Sequence, residues 1–186
     1  MCYSETHPLD PFLPHNAKIL ILGSFPPPKK RWCMDFFYPN WNNDFWRIMG
    51  HVAKADKNYF IAGKEKRFDK EKIEKFCNEN GIALYDTAEK VIRLKNNASD
   101  NFLQIVSYTN IAALLEQIPL CSTIVATGEK AAEAIQKATG CKRLSTGEST
   151  ETEYCKRKVK IWRMPSTSRA YPLPFLQKAE YYSKIV

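Results

Sequence analysis

Along the chain, short apolar runs alternate with segments whose apolar positions recur every three or four residues. Residues 17–22 (AKILIL) stop at Gly23, and 82–85 (IALY) follow Gly81. Residues 123–127 (TIVAT) run into Gly128, and 159–164 (VKIWRM) run into Pro165. Each run is short, apolar or β-branched and bounded by turn residues, the pattern of strands buried in a parallel sheet. Between them, Phe45, Ile48, Met49 and Val52 share one helical face behind the candidate caps Asn42 and Asn43. Ile73, Phe76 and Cys77 share another, opened by Asp69 and closed by Gly81. Ile111, Leu114, Leu115 and Ile118 repeat the spacing behind Thr109 or Asn110, with Pro119 beyond. Residues 129–138 and 175–185 complete the helices. This alternation predicts an α/β fold: three αβα layers around a central, mainly parallel four-stranded sheet, in a single domain over residues 1–186.

Open parallel sheets bind ligands beyond the carboxyl ends of their strands. That directs attention to residues 23–28 (GSFPPP), to Asp86-Thr87, to Gly128-Glu129-Lys130 and to residues 165–169 (PSTSR). The first and last of these are rich in Pro and Ser and are expected to sit close together. The connection from Phe25 to Asn43 is long for a compact domain, which marks it as functional or disordered. Its aromatics (Trp32, Phe36, Phe37, Tyr38 and Trp41) argue against disorder.

Composition sharpens the functional side. With 186 residues and 44% apolar content the chain can bury a real core. No apolar run approaches the roughly 20 residues of a membrane span. The segment MCYSETHPLDPF lacks the basic-then-apolar order of a signal peptide, so a cytoplasmic or nucleoid location is expected, with no membrane partner. Lys plus Arg (28) exceeds Asp plus Glu (20), for a net charge of +8, which favours polyanionic partners. Acids interleave in residues 64–75, which reads as a solvated helix face. Lys156, Arg157, Lys158, Lys160, Arg163 and Arg169 are expected to converge on the loop at 165–169.

The six cysteines contain no C-x-x-C pair and the three histidines (His7, His15 and His51) are dispersed, so no metal and no cofactor are expected. The sequon Asn97-Ala98-Ser99 carries no weight without secretion. Phosphate-binding and dinucleotide-binding glycine loops, H-E-x-x-H and the zinc deaminase signature are all missing. No histidine lies near a post-strand serine in sequence, so a metal-free and histidine-free chemistry is expected.

Taken in order, GSFPPPKKRWCMDFFYPNWNNDFWRIMG (23–50), GIALYDTA (81–88), VATGEKA (125–131) and MPSTSRA (164–170) resemble the uracil-DNA glycosylase superfamily, in its hypoxanthine-DNA glycosylase-like branch. The resemblance spans about residues 17–175. It implies a monofunctional, cofactor-free enzyme, expected to be a monomer. Such an enzyme flips a deaminated base (hypoxanthine, uracil or xanthine) out of DNA and hydrolyses its glycosidic bond. It further implies that Gly23, Ser24, Phe25 and Pro26 floor the base pocket and that Tyr38 walls it. Asp86 would read the Watson–Crick edge, and Lys130, Ser166, Thr167, Ser168 and Arg169 would contact the DNA backbone. Phe25 stands where many relatives carry an acid or amide that activates water. In this branch an Asn before the Phe-Trp pair takes over, which is Asn43 here, with Asn40, Asn42 and Asp44 as alternatives.

Each position has a plainer reading as well: Asn43 as an N-cap, Phe25 and Tyr38 as core, Asp86 as a cap, residues 165–169 as an ordinary turn. Met164 replaces a His found in relatives and no apolar wedge follows Pro165, which points to weaker duplex invasion and a preference for unstable pairs. The rival is a nucleic-acid-binding module that keeps the fold without catalysis.

Overall fold

The structure, a computed structural model, describes residues 4–94 and 102–186; Cys2 and the sequon at 97–99 lie outside the described residues. In chain order it contains β1 (Ser4–Thr6), β2 (Ile19–Gly23), α1 (Phe45–Lys54), α2 (Lys70–Asn80), β3 (Ile82–Asp86), β4 (Ala88–Arg93) and β5 (Leu103–Tyr108). Then follow α3 (Ile111–Gln117), β6 (Thr123–Thr127), α4 (Glu129–Thr139), β7 (Ser149–Tyr154), β8 (Arg157–Met164) and α5 (Phe175–Tyr182).

The four apolar runs are all strands, and they pair in parallel in the order β3-β2-β6-β8. Their registers align Gly23 with Asp86 and Thr127 with Met164, so the four carboxyl ends form one rim. The chain steps from β2 outward to β3, then returns past β2 to β6 and β8. The strand order therefore reverses at β2, which makes the rim beside it a topological switch point. Right-handed crossovers place α2 on one face of the sheet and α4 on the other.

The sheet is mixed and five-stranded, correcting the expected four: β7 adds antiparallel to β8 at the edge. Its sequence, STETEY, has no fully buried residue, because a half-buried edge strand needs no continuous apolar face. A second sheet, β1-β4-β5, is antiparallel and three-stranded. Its buried residues Ala88, Val91 and Leu103 pack with Phe25 in a small cluster of their own.

The helices sit where their apolar faces require. Asp69 caps α2 by accepting from Lys72 N–H at 3.1 Å, and Asn110 caps α3 through Ala113 N–H. Gly81 ends α2 at φ 62°, where a side chain would also press on the Asn16 carbonyl at 2.6 Å. At α1 the expected cap is displaced by one residue. Asp44 holds the cap position without a side-chain bond, while Asn43 Oδ1 accepts from Phe45 N–H at 2.8 Å. The long connection before α1 is ordered by its aromatics. Phe36 and Phe37 are buried, Trp46 Nε1 donates to Phe37 O, and Trp32 Nε1 donates to Pro27 O.

Candidate active site

A cleft of about 720 Å³ opens at the switch point, within the range of small-molecule sites. Gly23 and Ser24 enter it from the end of β2, Asp86 from β3, Thr127 from β6, and Ser166 and Thr167 from beyond β8. Phe25, Pro26, Tyr38 and Asn43 line it from the long connection, and Ser168 and Lys130 complete the expected set. Arg169 is the one expected residue that does not line it. Asn40 lines the cleft as Asn43 does, whereas Asn42 and Asp44 do not, which leaves Asn43 and Asn40 as the amides that face it.

Backbone bonds fix the floor. Thr87 N–H donates to Gly23 O at 2.9 Å and Ala88 N–H to Ser24 O at 3.2 Å, tying the β2 loop to the β3–β4 turn. Pro26, Pro27 and Pro28 carry no N–H, so amide donors at this floor come from Ser24 and Phe25. Phe25 is 8% exposed, its ring backed by the edge of His7 and by the Arg93 guanidinium at 5.9 Å. Tyr38 adopts φ 52°, unusual for a side-chain-bearing residue; such strain persists where the surroundings impose it. Here its ring stacks on Phe45 at 3.8 Å between centroids and its hydroxyl bonds Thr127 Oγ1 at 2.8 Å.

The opposite wall is the loop at 165–169, pinned from below. Tyr182 Oη donates to Pro165 O at 3.0 Å and Lys178 Nζ to Ser168 O at 2.7 Å. Asp44 N–H donates to Thr167 O at 3.0 Å, and Asn43 forms a bridge with Ser168. The two loops therefore hold one another, which gives Asn43 and the serines a fixed spacing.

Beneath this wall lies a cluster of cations with a single acid. Asp44 accepts from Arg169 Nε at 2.9 Å and faces Arg47 Nη1 at 3.7 Å. Burial lowers the pKa of both Arg47 and Lys178. Arg169 adds to that lowering and Asp44 opposes it. Arg169 is thus a partner of Asp44 rather than a lining residue. Asp44→Ala is expected to leave the buried Arg47 without its anion and to cost about 3 kcal/mol. A denaturant midpoint equal to that of the wild-type protein would contradict this.

Other basic residues lie elsewhere. Lys156, Arg157 and Lys158 sit at the β7–β8 hairpin and the start of β8, the far end of the sheet from the rim. Arg163 binds Leu144 O and faces Glu129. The cleft takes its cations from Arg31 and Lys130 instead, and Lys130 Nζ also donates to Leu103 O. Local sequence could not show this, because a strand carries its two ends to opposite sides of the molecule.

One residue at the site was dismissed by sequence reasoning altogether. His7, 2% exposed, hydrogen-bonds Asp86 Oδ2 through Nε2 at 2.9 Å, directly behind the cleft floor. Its only sequence signal was a lone histidine 79 positions before Asp86, and the pairing depends on β1 joining the small sheet. Among the described residues no three His, Cys, Asp or Glu side chains converge in an arrangement able to hold a metal ion.

Comparison with known proteins agrees with this geometry. No protein-family model matches the chain. Over 121 residues it is 30% identical to a hypoxanthine DNA glycosylase from Methanosarcina acetivorans, covering 65% of this chain and 70% of the relative. The solution NMR structure of a Methanosarcina acetivorans protein assigned to the uracil DNA glycosylases superposes with a TM-score of 0.62 at 22% identity. That match covers 95% of this chain and 92% of the other, and shows the shared fold. The chain belongs to the uracil-DNA glycosylase superfamily and is a DNA glycosylase, a hydrolase. Within that superfamily it falls in the hypoxanthine-DNA glycosylase-like branch.

Proposed function

We propose that this protein, acting as a monomer, flips a deaminated base out of DNA and hydrolyses its glycosidic bond without a lyase step. Hypoxanthine is the preferred base, with uracil and xanthine after it. The observation that carries the reading is the meeting of Phe25, Asn43, Asp86 and the loop at 165–169 around one cleft.

In this reading the flipped base stacks on Phe25, an interaction worth about 1–3 kcal/mol per base. Asp86 accepts the ring N–H that deamination creates, N1–H in hypoxanthine and N3–H in uracil. Adenine offers a lone pair at that position and is refused. The bond between C1′ and the base nitrogen breaks with its electron pair leaving on the base, through a sugar resembling an oxocarbenium ion. A water oxygen then bonds to C1′, and the proton it gives up, passed through solvent, neutralises the departed base anion. Such a cation needs little nucleophile activation, so an amide that orients water suffices. Asn43 supplies it: with one lone pair of Oδ1 held by Phe45 N–H, the second can accept from water. Ser166, Thr167 and Ser168 hold the phosphates that flank the extruded nucleotide, aided by Lys130. Among the described residues Lys130 alone of the lysines lines the cleft, and it is engaged with a backbone carbonyl, which favours hydrolysis without a lysine nucleophile.

Duplexes carrying single hypoxanthine, uracil, xanthine or mismatched T, incubated with the protein and then cleaved at abasic sites, test this. Strand cleavage is expected for hypoxanthine first. Binding of these duplexes with no abasic product on any of them would establish the rival reading, a nucleic-acid-binding module without catalysis.

A further inference from the structure

His7 sits where neither pocket lining nor DNA contact can explain it. Its side chain is 2% exposed, and it reaches the site only because its strand is docked: β1 pairs with β4, and His7 N–H donates to Glu89 O at 2.7 Å. A buried imidazole needs partners for both nitrogens. Nε2 lies 2.9 Å from Asp86 Oδ2. Nδ1 lies 2.9 Å from Leu9 O and 3.2 Å from Leu9 N.

These partners constrain the proton. If Leu9 N–H donates to Nδ1, the ring is neutral with its hydrogen on Nε2, which donates to Asp86. If the ring is cationic, Nδ1–H donates to Leu9 O and Nε2–H again donates to Asp86. Both states make Asp86 the acceptor, and only a protonated Asp86 would reverse the bond. The Asp86 main chain is anchored too, at its carbonyl, and the second carboxylate oxygen is packed against Gly23. Thr109 Oγ1 donates to Asp86 O at 2.6 Å, and Asp86 Oδ1 occupies the space a side chain on Gly23 would need. Oδ2 is thus committed to His7 while Asp86 still lines the cleft.

We propose that His7 is a positioning residue for base selection: it occupies Oδ2 of Asp86 and fixes the carboxylate, so that Oδ1 accepts a ring N–H from the flipped base. The inference rests on the proposed reading of Asp86. It adds that selectivity for deaminated purines is set from the small antiparallel sheet, at the residue that follows the carboxyl end of β1. The same ring stands edge-on to Phe25 at 5.4 Å between centroids, so one residue supports both the stacking face and the edge-reading group.

The test compares hypoxanthine with purine itself (the base of nebularine), which carries a lone pair and no hydrogen at N1. His7→Phe keeps an aromatic ring against Phe25 and Tyr85 but offers Asp86 no donor; His7→Gln keeps a donor. Single-turnover excision of hypoxanthine by His7→Phe is expected to fall about ten- to a hundredfold, with purine excision changed by less than about threefold. His7→Gln is expected to recover most of the loss, and His7→Phe is expected to add little to Asp86→Ala. Equal slowing of both bases, or identical behaviour of the Phe and Gln variants, would overturn the assignment and leave His7 a packing residue. Binding of duplexes containing 2′-fluoroarabino-hypoxanthine, or its purine counterpart, reads the same preference without chemistry. A wild-type protein that prefers the hypoxanthine duplex through His7 but cuts nothing sustains the inference and overturns the proposed catalysis. One that cuts hypoxanthine regardless of His7 does the reverse.

Discussion

Asn43→Ala is expected to lower single-turnover excision by about 10²–10³-fold, the range for removing one preorganised polar group at a reacting centre. Affinity for the damaged duplex is expected to change little. The side chain carries no charge and the phosphate contacts belong to other residues, so the loss falls on chemistry rather than binding. Two roles meet in this residue, and they can be separated. Its Oδ1 accepts from Phe45 N–H at the start of α1, a bond whose removal costs about 1 kcal/mol of stability. Asn43→Asp keeps that acceptor and also keeps an oxygen toward water, so it is expected to retain wild-type stability and measurable excision. Asn43→Ala with wild-type rates would transfer the water-orienting role to Asn40, the neighbouring amide that also lines the cleft. Equal losses in Asn43→Ala and Asn43→Asp would overturn a role for Oδ1 in orienting water, because the carboxylate keeps that oxygen and the turn-forming bond alike.

The parallel half of the fold was legible because each buried strand needs an unbroken apolar run and a turn residue to leave the sheet. Residues 17–22, 82–85, 123–127 and 159–164 all satisfied both conditions. What the sequence hid were strands with no such need. β7 is at most half-buried, and β1 is three residues long with no buried position. β4 and β5 bury only Ala88, Val91 and Leu103 against Phe25, too few for a periodic signal. The site followed the same division. Groups at or just beyond the ends of the legible strands (Gly23, Asp86, Lys130 and Ser166) meet at the cleft because topology alone gathers them. His7 was missed because its approach depends on the illegible sheet. Arg169 was expected at the DNA backbone, and what the structure adds is its bond to the buried Asp44, an ion pair that no sequence spacing announces across 125 positions. The expected convergence of Lys156, Arg157 and Lys158 failed for a geometric reason: they sit at the start of an eight-residue strand whose far end carries the cleft.

Gly23→Ala is expected to cost at least about 10²-fold in excision, comparable to a misplacement of 1 Å at a reacting site. Gly23 is not held in a left-handed conformation, so backbone freedom is not the reason for a glycine here. The reason is space. An added Cβ would overlap Asp86 Oδ1 and would stand 3.4 Å from Tyr38 Oη. A flexible side chain could swing away, but Asp86 is short and its other oxygen is tied to His7. Tyr38 is held by its stack on Phe45 and by Thr127. The methyl therefore has to displace the carboxylate that reads the base, or push the β2 loop off the Thr87 and Ala88 amides that fix it. Overpacking of this kind costs about 1–3 kcal/mol, small enough to leave a folded protein for assay. Gly23→Ala/Asp86→Ala is expected to regain much of that stability, because it removes the group in the way, while remaining deficient on hypoxanthine. If Gly23→Ala melts and cuts like the wild-type protein, Asp86 has room to move and cannot be the rigid acceptor required here. Recovered stability without recovered excision in the double variant would instead place both the clash and the base-reading function on the same carboxylate.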